Sequence, residues 1–361
     1  MTKKYRRDRK SKQSSLEAKF EAQKLAFAPI SFQAAKALRD LGILEELYKA
    51  GEFGLSATEI ADKLNLSNYG VETLLEVGVN INVINLKSDL NYCLTKTGLF
   101  IVNDEMTRIN MDFVNDVCYQ GSFFMQESIK NSKPEGLKVF GNWETIYQGL
   151  TALPQNVQKS WFAFDHFYSD AAFDEALKIV FAHNPQNLFD IGGNTGRWAV
   201  QCLQYNSSVK ITILDLPGQL NVAKNNLEML NLAHRVNFHE TNILNQNALF
   251  PKGADAVWMS QFLDCFSKEQ ITDILTKVAE NVDENCKIYI LEPFWDQQKF
   301  PAAKFSLNHT SLYFTCMANG NSKMYALEEM VDCAKKAGLK LEKNFNDIGE
   351  NDYTLLQLSK K

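Results

Sequence analysis

The ten residues from Asn187 to Gly196, Asn-Leu-Phe-Asp-Ile-Gly-Gly-Asn-Thr-Gly, constrain this chain more than any other stretch. A short apolar run closing on an acid and then on glycines reads as a buried strand that enters a tight turn before a helix. Lacking Cβ atoms, Gly192, Gly193 and Gly196 let the backbone approach a bound molecule and let the next helix, Arg197 to Tyr205, pack against the strand. A second apolar run, Lys210-Ile-Thr-Ile-Leu214, ends at Asp215. That acid lies roughly 20 residues past the glycines, where a neighbouring strand offers a carboxylate to a ribose diol. Together they call for a nucleoside-type ligand.

The spacing narrows which one. A dinucleotide site wants Gly-x-Gly-x-x-Gly, its first glycine making room for a pyrophosphate. Here that position is Ile191, and Asp190 before it suits a ligand with a cationic amino-acid end and repels a pyrophosphate. The Gly-Lys-Ser/Thr ending of a phosphate-binding loop is absent. The stretch resembles the first motif of class I S-adenosylmethionine-dependent methyltransferases.

Strand and helix signals alternate beyond Asp215. Asn221 to Leu230, Lys268 to Val282 and Met324 to Ala337 read as helices. Val236 to His239, Asp255 to Ser260 and Lys287 to Glu292 read as strands, and Leu339 to Phe345 with Tyr353 to Leu358 as a terminal antiparallel pair. The expected fold class is α/β: a Rossmann-like, mainly parallel sheet with a terminal antiparallel pair, binding ligand at the carboxyl ends of its strands. Asp190, Asp215, Ser260 and Glu292 all fall at strand ends.

Ahead of this lies a helix, helix, helix, hairpin pattern. Ala34 to Ala50 has helical spacing, Ser56-Ala-Thr-Glu59 opens a second helix like a capping box, Asn68 to Val79 forms a third, and Val83 to Phe100 alternates like two short strands. This is a winged-helix pattern. Its would-be recognition helix carries Glu72 and Glu76 and no Lys or Arg, whereas a duplex reader needs cations to displace counterions, so no nucleic-acid partner is expected. Leu38, Leu41, Ile43, Leu44, Leu47 and Tyr48 are more apolar surface than a lone domain of this size readily buries, which predicts a homodimer.

Four segments result: a basic tail, 1–15; a winged-helix dimerisation domain, 16–105; a helical, aromatic-rich connector, 106–182; and the cofactor-binding domain, 183–361. In the tail seven cations stand against Asp8, so it carries +6 and the rest of the chain −11 of the net −5. A solvated disordered tail is the expectation, a docking arm for an acidic partner the alternative. The seven cysteines are scattered, without a Cys-x-x-Cys pair, so neither a disulfide framework nor a zinc site is indicated. No apolar run reaches the roughly 18 residues of a membrane span and no signal-peptide core is present, pointing to the cytoplasm.

From about residue 30 onward the chain resembles the O-methyltransferases typified by plant phenylpropanoid and bacterial polyketide enzymes. The resemblance rests on the winged-helix domain, Asp-Ile-Gly-Gly-Asn-Thr-Gly, Leu214-Asp-Leu-Pro217, Val257-Trp-Met-Ser-Gln-Phe-Leu-Asp-Cys-Phe-Ser267, Leu291-Glu-Pro293 and Ala337-Gly-Leu339. The Trp-Met-Ser-Gln run is also similar to methyltransferases of aryl polyene or flexirubin-type pathways. The resemblance implies S-adenosylmethionine as cofactor, held at its methionine end by Asp190, Gly192, Gly193 and Gly196 and at its ribose by Asp215. It places Leu216, Asn242, Ile243, Ser260, Gln261 and Ser169 around the same ligand. Phe164-Asp-His-Phe-Tyr-Ser169 matches a segment lining substrate and cofactor, and Phe164, Tyr168, Phe262, Met317 and Asn319 form the expected acceptor wall.

Catalysis departs from the family. Where the family has the histidine of Leu-His-Asp-Trp, a base that deprotonates a phenol, this chain has Asp264 in Leu263-Asp-Cys-Phe266. Glu292 matches one of two carboxylates flanking that histidine, and Met324 takes the place of the other. An aspartate at about pKa 3.9 is a poor base for a phenol at about 10 unless burial raises it. Asp264 and Glu292 are therefore the catalytic candidates, joined by two histidines that the resemblance places nearby by homologous position, His166 and His309. The expected function is methylation of a small aromatic hydroxyl acceptor, with carrier-protein presentation left open. Oxygen methylation is favoured and ring-carbon methylation the variant; a non-catalytic cofactor-binding regulator is the alternative.

Overall fold

The computed structural model describes residues 13–361, the side chain of Ser169 excepted; most of the basic tail thus lies outside the described residues. The chain divides into two compact units, one ending at Met111 and one spanning Asp112–Lys361.

In the first unit the helix expected over Ala34 to Ala50 is two. Helix α1 (Ser15–Asp40) starts at a Ser14–Glu17 capping box, and Gly42, at φ +81°, turns the chain into α2 (Ile43–Ala50). Periodicity missed the first half of α1 because that half buries nothing. Ser56 and Glu59 cap α3 (Ala57–Leu64) as expected, and α4 (Asn68–Asn80) follows. The hairpin is shorter than expected: β1 (Ile84–Leu86) pairs with β2 (Tyr92–Leu94), after which Thr95 accepts the Gly98 N–H and opens α5 (Lys96–Asn103). Leu38, Ile43, Leu44 and Leu47 lie in this unit's own core, each at most 1 % exposed, whereas Leu41 and Tyr48 stay 44 % and 45 % exposed.

Helix α6 (Glu105–Phe113) leads into the connector, α7 (Met125–Asn131), α8 (Ile146–Gly149), α9 (Gln155–Asp170) and α10 (Phe173–Val180). The sheet domain then runs β3 (Asn187–Ile191), α11 (Arg197–Tyr205), β4 (Lys210–Asp215), α12 (Pro217–Met229), β5 (Val236–Glu240), β6 (Ala256–Ser260), α13 (Lys268–Asn281) and β7 (Lys287–Glu292). It finishes with α14 (Pro301–Tyr313), α15 (Leu327–Lys336), β8 (Leu339–Ile348) and β9 (Tyr353–Lys360).

The seven strands are ordered β5-β4-β3-β6-β7-β9-β8, parallel except for β9, which runs antiparallel to both neighbours. Alternate residues feed opposite faces, as the period of a strand requires. Val257 and Met259 pack with α13 and α15, while Ala256 and Trp258 pack with α10, α11 and α12, where Trp258 stacks on Trp198 at 4.0 Å. Chain order reverses beside β3, between β4 and β6, and a crevice opens outside the carboxyl ends of such strands. Among the described residues no helix is long and apolar enough to cross a membrane.

Candidate active site

The glycine turn sits at that reversal, and the backbone there leaves no room for side chains. Gly192 has φ +73° and donates its N–H to the Leu214 carbonyl at 2.9 Å; a Cβ on it would stand 2.1 Å from the Phe262 ring. A Cβ on Gly193 would stand 2.7 Å from Asp190 Oδ2, and Gly196, at φ +79°, caps α11. Asn194 occupies the left-handed region at φ +47° and ties two acids together: its N–H donates to Asp215 Oδ2 at 2.8 Å and its Nδ2 donates to Asp165 Oδ2 at 3.1 Å. Leu216 N–H donates to the other Asp215 oxygen at 2.7 Å. Burial pushes Asp190 up to about 8, with Asp215 adding to it, and pushes Asp215 up to about 6 against the pull of its two backbone donors.

A cavity of about 300 Å³ opens from this turn. Gly192, Asp215, Leu216, Asn242, Ile243 and Gln261 line it, as do Phe164, Phe262, Asp264 and Asn319. Asp190, 2 % exposed, lies behind the glycines with Oδ2 unpartnered; Asn194 Oδ1, Ser260 Oγ and Gln261 Nε2 are buried without partners too. Asn242 Oδ1 is taken up by the Leu244 N–H at 3.1 Å.

Asp264 follows β6, 4 % exposed, with Oδ1 facing the Cys265 thiol at 3.5 Å. Glu292, at the end of β7, does not reach the cavity. Its Oε1 accepts the Phe262 and Leu263 N–H groups at 3.2 and 3.0 Å, fixing the turn that carries Asp264, and its Oε2 is buried and unpartnered. Both carboxyls are held well above the usual range by desolvation, Glu292 also by the Asp264 charge, because two buried carboxyls cannot both ionise cheaply.

Several expected residues stand elsewhere. His309 is exposed on α14, its Nδ1 2.7 Å from the Phe305 carbonyl and its ring over Phe305, so it turns away from the cavity. His166 stacks on Phe162 outside the lining, 3.7 Å from Asp165, and burial pushes it down to about 4. Met317 is 1 % exposed, wedged against Gly121 and Gly136, and Tyr168 packs on Phe164 and Phe167. Asn319 lines the cavity, yet its amide braces a loop, donating to the Cys265 carbonyl and Ser322 Oγ and accepting two backbone N–H groups. Ser169 lies on α9, with its side chain outside the described atoms.

Asp165, inside the quoted Phe164 to Ser169 run but given no role there, and Trp161, Thr310, Tyr313 and Tyr147, to which no motif assigns a role, complete the wall. Asp165 and Trp161, four apart on α9, and Thr310 and Tyr313, three apart on α14, face the cavity at helical spacing. That spacing was the available signal. Trp161 Nε1 donates to Tyr313 Oη at 2.7 Å, Phe164 stacks on Phe113 at 3.9 Å, and Tyr147 Oη is buried without a partner. Desolvation, with Asp264 nearby, pushes Asp165 up to about 7.

Known proteins agree with this construction. O-methyltransferase 4 of Dictyostelium discoideum is 24% identical over 323 residues, covering 86% of this chain and 88% of that protein. The S-adenosylmethionine-dependent methyltransferase SibL, in its apo form, superposes with a TM-score of 0.71 at 22% identity, covering 94% of this chain and 98% of that one. NcsB1, an O-methyltransferase from neocarzinostatin biosynthesis in complex with S-adenosylmethionine and 2-hydroxy-5-methyl naphthoic acid, superposes with a TM-score of 0.67 at 17% identity over 92% and 96%. Residues 19–91 match a Dimerisation2-like domain. Because residues 155–340, more than half of the chain, match the O-methyltransferase domain, the chain belongs to that family and is an S-adenosylmethionine-dependent methyltransferase.

Proposed function

We propose that the protein methylates a hydroxyl of a small aromatic acceptor, with Asp264 holding that hydroxyl. The observation that carries this reading is one cavity in which the glycine turn and the aromatic wall meet at a buried carboxyl. The turn fits the cofactor chemically: Asp190 has an unpartnered oxygen for an ammonium, Asp215, held by two backbone N–H groups, would take a diol, and Asn242 and Ile243, which line the same cavity, would take the base. When bound, S-adenosylmethionine supplies an activated methyl group and a neutral leaving group. Asp264, ionised, accepts the acceptor's O–H hydrogen bond and takes the proton as the oxygen is alkylated. Burial brings its pKa toward that of a phenol, which makes it a better base than an exposed aspartate. Glu292 is a positioning residue behind it. Trp161, Phe164 and Tyr313 orient the ring and exclude water.

The test is incubation with S-adenosylmethionine and a phenol panel, read by mass spectrometry and by the methyl shift in NMR, which tells methoxy from aryl-methyl. A methoxy product is expected. Absence of any methylated product alongside measurable S-adenosylhomocysteine binding would overturn this reading of the acceptor.

A homodimer is part of the same proposal. The surface that supports it is not the cluster expected from sequence, since Leu38, Ile43, Leu44 and Leu47 are already buried. It is the first half of α1, where Leu16, Phe20, Leu25, Phe27 and Ile30 are 57–81 % exposed. Light scattering should show twice the chain mass.

A further inference from the structure

We infer that the acceptor half of the cavity is built for an aromatic hydroxyl compound carrying a basic nitrogen and no acidic group. The inference rests on the reading of this cavity as a methyl-transfer site. Among its described lining residues are Glu144, Asp165, Asp215 and Asp264, and no Lys, Arg or His. The cations nearby are spent or absent: Arg197 is paired with Asp170, and His166, driven toward the neutral form by burial, brings no charge to Asp165. S-adenosylmethionine, with one ammonium, one sulfonium and one carboxylate, brings a single net positive charge. Asp190 and Asp215 beside the glycine turn already provide a carboxyl for its ammonium and one for its ribose, so Asp165 and Asp264 are acids in surplus.

A second observation is independent of that count. Trp161, Phe113 and Phe164 set apolar ring surface beside the two surplus carboxyls, and aromatic faces joined to carboxylates form the recognition chemistry of an organic cation. The polar groups agree with it. Tyr313 accepts the Trp161 N–H, so its own O–H is left to donate toward an acceptor oxygen, and the described lining offers a substrate carboxylate neutral donors but no cation. An acidic substituent would bring a like charge into a poorly hydrated space; a basic one would supply the missing counter-ion.

Three phenols of similar size and different charge test this: tyramine, 4-ethylphenol and 3-(4-hydroxyphenyl)propanoate. Calorimetry first establishes that S-adenosylhomocysteine binds; its failure to bind would overturn the reading of the site as a methyltransferase centre. On the loaded protein, tyramine should bind more tightly than 4-ethylphenol and the propanoate most weakly, with at least about tenfold between the extremes. The same order should hold in kcat/KM where turnover occurs. Asp165→Asn and Asp264→Asn should each compress that span by about tenfold, since each removes one facing charge while keeping a hydrogen-bond acceptor. The ratio is internal to one protein sample, so partial misfolding does not move it. The inference is overturned if the propanoate binds as well as tyramine, if none of the three binds to the loaded protein, or if the span is unchanged in both variants.

Discussion

The two halves of the cavity are built in opposite ways. On the cofactor side Asp190, the three glycines, Asn194 and Asp215 come from one strand-turn-helix unit and the adjacent strand, so few long-range contacts are needed to assemble them. On the acceptor side Tyr147, Trp161, Asp165, Asp264 and Tyr313 come from the connector, the end of β6 and α14, joined only by tertiary packing. A local half is written as a motif. A dispersed half can change its chemistry one residue at a time, and here an aspartate stands where the resemblance implied a histidine.

The sharpest attack on this contrast is at Asp264. Asp264→Ala should lower kcat by about 100-fold or more while cofactor affinity holds, because the group acts on the acceptor alone. In the wild type kcat should rise with pH through about 7 as the carboxyl ionises, and Asp264→Asn should remove that rise. A pH-independent wild-type rate would assign Asp264 to orientation and not to proton transfer.

Gly192→Val tests whether the halves are separable at all. Gly192 has a positive φ, and its missing Cβ makes room for Phe262, which belongs to the acceptor side. Calorimetry should show cofactor affinity reduced by about 100-fold, with acceptor binding damaged as well, since several kcal/mol of strain and overlap must go somewhere. Intact acceptor binding would mean that the two halves are independent after all.

Asp190→Asn acts on stability. The folded carboxyl, raised to about 8 by burial, holds its proton more tightly than the unfolded one near 3.8, so the native state binds more protons between those values. Stability of the ligand-free protein must then fall as pH rises from about 4 to about 8. Asp190→Asn should flatten that slope in Tm against pH, and a steeper slope would refute the assignment. The smallest effect is expected at His309, where His309→Ala should change kcat/KM less than about twofold, as for other surface substitutions.

Much of the sheet is legible in the sequence. The strands that contain Asp190, Asp215, Ser260 and Glu292 lie where apolar runs predicted them, and Ser56 and Glu59 form the capping box their spacing suggested. Gly42 does not announce a break, because a single glycine in a helical pattern is locally ambiguous, and α5 has the pattern of a strand because Thr95 caps as readily as it extends. The resemblance sets His309 near the chemistry, yet its neighbours Thr310 and Tyr313 hold the inward face of α14, and rotation about a helix axis is decided by packing.

By itself, the sequence determined the α/β class, the glycine turn and the carboxylates that suit a nucleoside with a cationic tail, because these depend on spacings of a few residues and on backbone sterics. The tertiary structure decided which of the remaining polar groups meet. It brought Asp165 and Tyr313 inward, set Glu292 behind Asp264, left both candidate histidines out of the cavity lining and left the site acidic. Those outcomes follow from burial and long-range packing, which raise a carboxyl's pKa or orient a helix face only once the whole core is formed.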